Sequence, residues 1–178
     1  LSGPEPLHCA RQRGCSIVFV SSNAFSAPPP SAPTAEQAQG VLCGPWALAF
    51  PFSWARNLIE DIELSDVPHA PAWLMGAANV DGAVIPVFDL ARWLDPAQGT
   101  EAGPGSHVLV GGEGDRVAGL IFRGLPTLVK GVAGVPPSLP AALAEFARGA
   151  AIDASGRPWA MIDAPALLEA WAAELSLA

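Results

Sequence analysis

Hydrophobic positions along this chain come in short, strand-sized runs, each closed by glycine, proline, asparagine or aspartate. The densest example is Gly76 to Leu94, G-A-A-N-V-D-G-A-V-I-P-V-F-D-L-A-R-W-L. Asn79-Val80-Asp81-Gly82 predicts a tight turn, because Asn and Asp tolerate left-handed backbone angles and Gly82 has no Cβ to clash. Val84, Ile85, Val87 and Phe88 favour a pleated strand. Pro86 has no N–H to give a ladder, which predicts an edge or a bulge at that position. Asp89 is placed to cap a helical turn from Leu90 to Leu94.

The same pattern continues on both sides. Val41 to Cys43, a Gly44-Pro45 turn and Trp46 to Phe50 predict a hairpin, and Trp54 to Glu60 reads as a helical turn or a strand. Leu64 to Pro71 is a proline-punctuated loop, and Asp95 to Ser106 is a Gly- and Pro-rich connection. Beyond it, His107 to Val110 and Val117 to Phe122 predict strands around the Gly111 to Asp115 turn, with Leu125 to Val129 extending the sheet. Pro140 to Ala147 predicts a short helix with Leu139, Leu143 and Phe146 on one side. Ala150 to Ile152 and Trp159 to Ile162 flank a hairpin turn at Asp153 to Gly156. Asp163 then caps a last helix, with Pro165 in its first turn and a stripe of Leu167, Leu168, Trp171 and Leu175. The strand–turn–strand–helix plan appears before and after residues 95–106. An all-β architecture of two small barrels with a few helices accounts for it.

Residues 1–40 differ in kind. They hold six prolines and only Glu5, Arg11, Arg13 and Glu36 as charged side chains. Ser16 to Val20 predicts a short strand and Ser26 to Gln39 an extended linker, so a poorly ordered tail at 1–40 and a domain at 41–178 are expected. The chain opens on Leu1, from which an upstream part or a different start is expected.

Composition narrows the function classes. The 178 residues are 51% hydrophobic and 15% charged, enough apolar content for a packed domain. A net charge of −8, with Lys130 the only lysine, argues against a nucleic-acid partner. Six tryptophans and no tyrosine favour core packing over interface use. Cys9, Cys15 and Cys43 lack metal-ligand spacing and suit a reducing cytoplasm. No apolar run reaches the length of a membrane helix or a signal-peptide core, so no direct membrane insertion is expected.

A search for chemistry finds no G-x-S-x-G elbow, phosphate loop or H-E-x-x-H motif. His8, His69 and His107 are far apart, and Cys43 has no neighbouring base and reads as a small buried hydrophobe. Asp81 and Asp89 have turn and cap duties, and Asp95 stands exposed beside Pro96. No catalytic residue, cofactor or metal is expected.

With these residues in hand, the chain resembles the CheW-like domain family of bacterial chemotaxis coupling proteins, over roughly Val41 to Leu175. The family pattern places Gly76, Asn79, Gly82, Pro86, Asp89 and Leu90 in register, with Val67 to Pro71 matching the preceding loop. Ala118 to Ile121, Phe146, Gly149 and Ala160 to Asp163 match in the second half. The resemblance implies a mainly β CheW-like fold: two small five-stranded β-barrel subdomains around a shared core, with short helices and a C-terminal helix. It implies a non-enzymatic, cytoplasmic adaptor, recruited to membrane receptor arrays, that links the cytoplasmic tip of a chemoreceptor to the regulatory domain of a histidine autokinase. The alternative is a diverged regulator of another chemosensory system, such as type IV pilus twitching motility. The implied receptor-facing hairpin is Asn79, Val80, Asp81 and Gly82. Relatives usually carry arginine where Asp81 stands and aspartate where Arg123 stands. Two sign changes together suggest a compensating exchange, with Asp81 and Arg123 close enough to interact and partner choice as its purpose.

Overall fold

The computed structural model describes residues 35–177. The strand expected at Ser16 to Val20, and most of the expected tail, lie outside them. Ten strands follow: β1 (Gln37–Cys43), β2 (Trp46–Pro51), β3 (Ala55–Glu60), β4 (Leu74–Val80), β5 (Ala83–Phe88), β6 (Ser106–Gly111), β7 (Ala118–Arg123), β8 (Thr127–Val132), β9 (Ala147–Ile152) and β10 (Pro158–Ile162). The α-helices are α1 (Leu90–Leu94), α2 (Ala141–Ala144) and α3 (Ala164–Ser176). β1 starts at Gln37, inside the stretch assigned to the tail, because Ala38 and Gln39 pair with both β2 and β8. Of the stretch Trp54 to Glu60, Trp54 closes a tight turn and Ala55 to Glu60 form a strand. α2 is shorter than expected because β9 takes over at Ala147.

The two sheets do not divide the chain at the 95–106 connection. β1, β2, β10, β9 and β8 close into a barrel, whereas β3, β6, β7, β5 and β4 form a second five-stranded sheet in that order. Each sheet thus takes strands from both halves, joined by the parallel pairs β2–β10 and β5–β7. Such pairs need long crossovers and leave no local mark in a sequence. The second sheet ends on β3 and β4 and is not a hydrogen-bonded ring. Ser65 occupies the outer edge of β4, exchanging backbone bonds with Ala77 at 2.8 and 2.9 Å.

Alternation along the strands sorts the side chains into three clusters. Inside the barrel, Ala38, Ala49 and Ala151 leave room for Trp159 and Met161. Gly40 belongs to this economy of space: a Cβ there would lie 2.9 Å from Val129 Cγ1 and 3.0 Å from Trp159 Cζ3. One face of the second sheet carries Ile85, Val87, Val108 and Ile121. Its other face, with Phe88, Leu120 and Phe122, meets Leu48, Phe50 and Ile162 of the barrel in a shared core.

Helix α3 seals that core. Asp163 caps it by accepting from the Ala166 amide at 3.2 Å, and Pro165 sits in the first turn, where its missing N–H costs nothing. Leu167 and Trp171 are fully buried, and the Trp171 ring lies 5.0 Å from Phe88 and 5.5 Å from Trp73. Each such burial stabilises by roughly 1.5–3 kcal/mol. Four of the six tryptophans, Trp54, Trp73, Trp159 and Trp171, are buried and the other two pack against the core.

Candidate partner-binding surfaces

The β4–β5 hairpin turns at Asp81 and Gly82, whose φ angles are 51° and 86°. Two successive positive φ values make the turn whose twist matches the flanking strands, and Asp-Gly is a preferred pair for it. The Asn79 side chain holds the tip by accepting from the Gly82 amide at 3.0 Å. Asn79, Asp81 and Gly82 are exposed, whereas Val80 packs against the sheet cluster. Below the tip, Val84, Pro86 and Phe88 share one face of β5. Val84 is 74% exposed, Pro86 is exposed and Phe88 enters the core. An apolar strip therefore runs from the tip toward the junction of the sheets.

That strip leads into a groove of about 580 Å³. Trp54, Pro86, Phe88 and Ala118 line one side, with Leu168 and Leu175 of α3 on the other. Trp54 lies flat over Gly111, where a Cβ would come within 2.4 Å of its ring. Charges gather at the rim, with Arg116 bonded to Glu169 at 2.9 Å and Arg148 to the helix-capping Asp163 at 2.9 Å. An apolar floor with a charged rim is the profile of a protein-docking site.

At the other end of β5, Asp89 is fully buried and anchors α1. Its carboxylate accepts from the Arg92 amide at 3.0 Å and from the Thr100 amide, tying the helix to the following connection. Burial pushes its carboxyl above the usual value, opposed by those two amide bonds. Cys43 is buried as well; desolvation first, then the nearby Asp89 charge, pushes its thiol up to about 12, so it is an inert hydrophobe. Among the described residues no His, Cys, Asp and Glu gather as a metal site, and no helix is long and apolar enough to cross a membrane.

The family model for the CheW-like domain matches residues 37–171. The chain belongs to the CheW-like domain family. Protein FrzA of Myxococcus xanthus is 33% identical over 70 residues, 38% of this chain; the match spans only 43% of that relative's length. A crystal structure of the scaffolding protein TtCheW from Thermoanaerobacter tengcongensis superposes with a TM-score of 0.60 at 17% identity, over 75% of this chain and 88% of that one. At that identity the likeness speaks for the fold.

Within this CheW-like domain the pattern residues have local physical duties. Gly76, at φ 145°, lets Ser65 approach, since a Cβ would lie 2.6 Å from the Ser65 carbonyl oxygen. Pro86 is not on an edge strand, as its missing N–H suggested. β5 lies between β4 and β7, but its parallel register with β7 begins only at Val87, so Pro86 owes that neighbour no hydrogen bond. Asp81 and Arg123 are not brought together. Val87 stands beside Gly119 in parallel strands, Asp81 precedes that point and Arg123 follows it, which separates them by roughly 30 Å. Arg123 instead donates to the Glu101 carbonyl at 3.3 Å. Val84 and Trp54 went unrecognised as parts of this surface, whereas Leu168 lay in the apolar stripe read along the last helix and both packs on the core and lines the groove. The alternation of Val84 with buried residues was its one local signal.

Proposed function

We propose that this CheW-like domain is a non-enzymatic adaptor of a chemosensory assembly, coupling receptor tips to the regulatory domain of a histidine autokinase. The observation that carries the reading is the continuous surface from the Asn79–Gly82 tip, along Val84 and Pro86, into the groove beneath α3. Its floor suits the apolar stripe of a helix, and helices laid into apolar grooves are a recurrent mode of recognition. Family membership and the scaffolding role named for TtCheW support the same reading.

A second reading, a regulator of a diverged chemosensory system, draws on Asp81. Among the described residues no ion pair compensates its sign, so the complement is sought in whatever faces the hairpin. A partner built for arginine there is disfavoured, and one presenting a cation is favoured.

Binding of the full chain to a chemoreceptor cytoplasmic fragment, and separately to a kinase regulatory domain, tests both readings. Leu168→Glu is expected to weaken the groove-bound partner at least about tenfold, by placing a charge on an apolar floor. Asp81→Arg is expected to strengthen binding to a typical receptor tip. Absence of binding to either partner sinks the adaptor reading; unchanged affinity for Asp81→Arg removes the role of the tip charge. Kinase activity in receptor membranes, with and without the chain, then reports whether binding couples the two.

A further inference from the structure

The loop from Gly112 to Val117, between β6 and β7, forms part of the groove wall. It makes a tight helical turn at Gly114–Arg116, where the Arg116 amide donates to the Glu113 carbonyl at 3.1 Å. Gly112, at φ 94°, permits that closure, since a side chain there would run into the Arg116 carbonyl. Gly114, at φ 60°, has open space around it. The loop therefore starts on two glycines that give it freedom to move.

Exposed ion pairs fasten this loop on both flanks. The register of β3 with β6 shifts between Ala55 and Asn57, a bulge that leaves Arg56 outside the ladder, and its side chain pairs with Glu113. On the other flank, Arg116 Nη1 lies 2.9 Å from Glu169 Oε1 of α3. Among the described residues no other hydrogen bond or ion pair joins the loop to that helix. Arg116 and Glu169 both line the groove, and their side chains are 75% and 65% exposed, so the pair spans its mouth and not its floor. A helix with its side chains is about 10–12 Å across and has no passage where the walls are joined by such a contact.

We propose that Arg116 and Glu169 form a clasp across the groove, which its partner opens before seating on the apolar floor; who that partner is rests on the adaptor reading. An exposed pair holds weakly, so open and closed forms coexist. The closed fraction lowers the apparent affinity of the groove in proportion. Arg116 and Glu169 thus set how much of the protein is open, while Leu168 and Phe88 set the affinity of the open form.

Three variants of the full chain test the clasp: Arg116→Ala, Glu169→Ala, and the exchanged pair Arg116→Glu with Glu169→Arg. Hydrogen-exchange protection of the amides at positions 112 and 116 is expected to fall about two- to fivefold in either alanine variant. The exchanged pair is expected to recover it, since opposite charges again face each other. The same proteins are titrated with a chemoreceptor cytoplasmic fragment and with a kinase regulatory domain. Whichever of these Leu168→Glu releases is expected to bind either alanine variant about two- to fivefold more tightly, and the exchanged pair like the wild type. Unaltered protection in both alanine variants overturns the clasp, whatever the partner. Altered protection with unchanged or weaker binding, or binding that Leu168→Glu leaves intact, overturns its control of the groove. If neither partner binds at all, the adaptor reading fails, and the protection factors still decide the clasp.

Discussion

Asp153 receives the Ser155 hydroxyl at 2.6 Å, the Ser155 and Arg157 amides at 2.8 and 3.0 Å, and the Trp159 indole N–H at 3.1 Å. These donors, the Ser155 hydroxyl foremost, hold its carboxyl down to about 2 against an ordinary 3.8. A depressed folded value means that the ionised form stabilises the fold. That contribution is complete above 3.8 and is lost as pH falls through about 2. Asp89 works in the opposite sense, because burial raises its carboxyl: its contribution is present below the ordinary value and is lost as pH rises through the folded one. Asp153→Asn is therefore expected to flatten the acid side of the stability curve while Asp89 keeps its slope. Urea midpoints of both proteins, taken in steps from mildly acidic pH down toward pH 2, should converge; a constant gap excludes the Asp153 linkage. The sequence disclosed the turn at Asp153 and the cap at Asp89, since each is a contact over a few residues. It did not disclose which carboxylate is buried, because that depends on Thr100 and on the strands packed around α1.

Glycines separate two kinds of constraint at the level of the element. Gly82 has φ 86° and open space around it, so an added methyl group meets only backbone strain. Gly40 has no such strain, but its Cβ would press against Val129 and Trp159 inside the barrel. Gly82→Ala is expected to cost about 1–2 kcal/mol and to leave the barrel undisturbed. Gly40→Ala is expected to cost about 1–3 kcal/mol through overpacking, and to shift the near-ultraviolet signal of Trp159. Chemical denaturation with near-ultraviolet circular dichroism distinguishes them; an unchanged Trp159 signal in Gly40→Ala contradicts the packing account. Asp81-Gly82 was legible as a turn because its chemistry is local. Gly40 was read into the tail, since what demands a glycine there is Trp159, more than a hundred residues away. The edge of β3 was hidden for the same reason. A strand's alternation marks its faces and says nothing of its rank in a sheet.

The whole molecule depends on one core built by both sheets and α3. Leu48 and Phe50 from the barrel, Phe88 and Phe122 from the second sheet, and Trp171 from the helix belong to one cluster, so neither sheet buries its inner face without the other. The sequence made the amount of strand and the apolar stripe of α3 plain. It suggested two barrels in succession, whereas the parallel pairs interleave the halves. The groove shared that fate, being assembled from residues between Pro51 and Leu175 that no local pattern joins. Interleaving has a thermodynamic consequence. The chain is expected to unfold in a single transition, with tryptophan fluorescence and far-ultraviolet circular dichroism coincident. Trp171 is fully buried and its ring lies 5.4 Å from Trp93 as well as against Trp73 and Phe88. Trp171→Ala is expected to cost about 3–5 kcal/mol, a large share of the roughly 5–15 kcal/mol available to a domain. The loss should lower the one midpoint seen by both probes. Two separated transitions in this variant, with the barrel outlasting the second sheet, would mean that each sheet is stable alone and that the shared core is an interface between independent units.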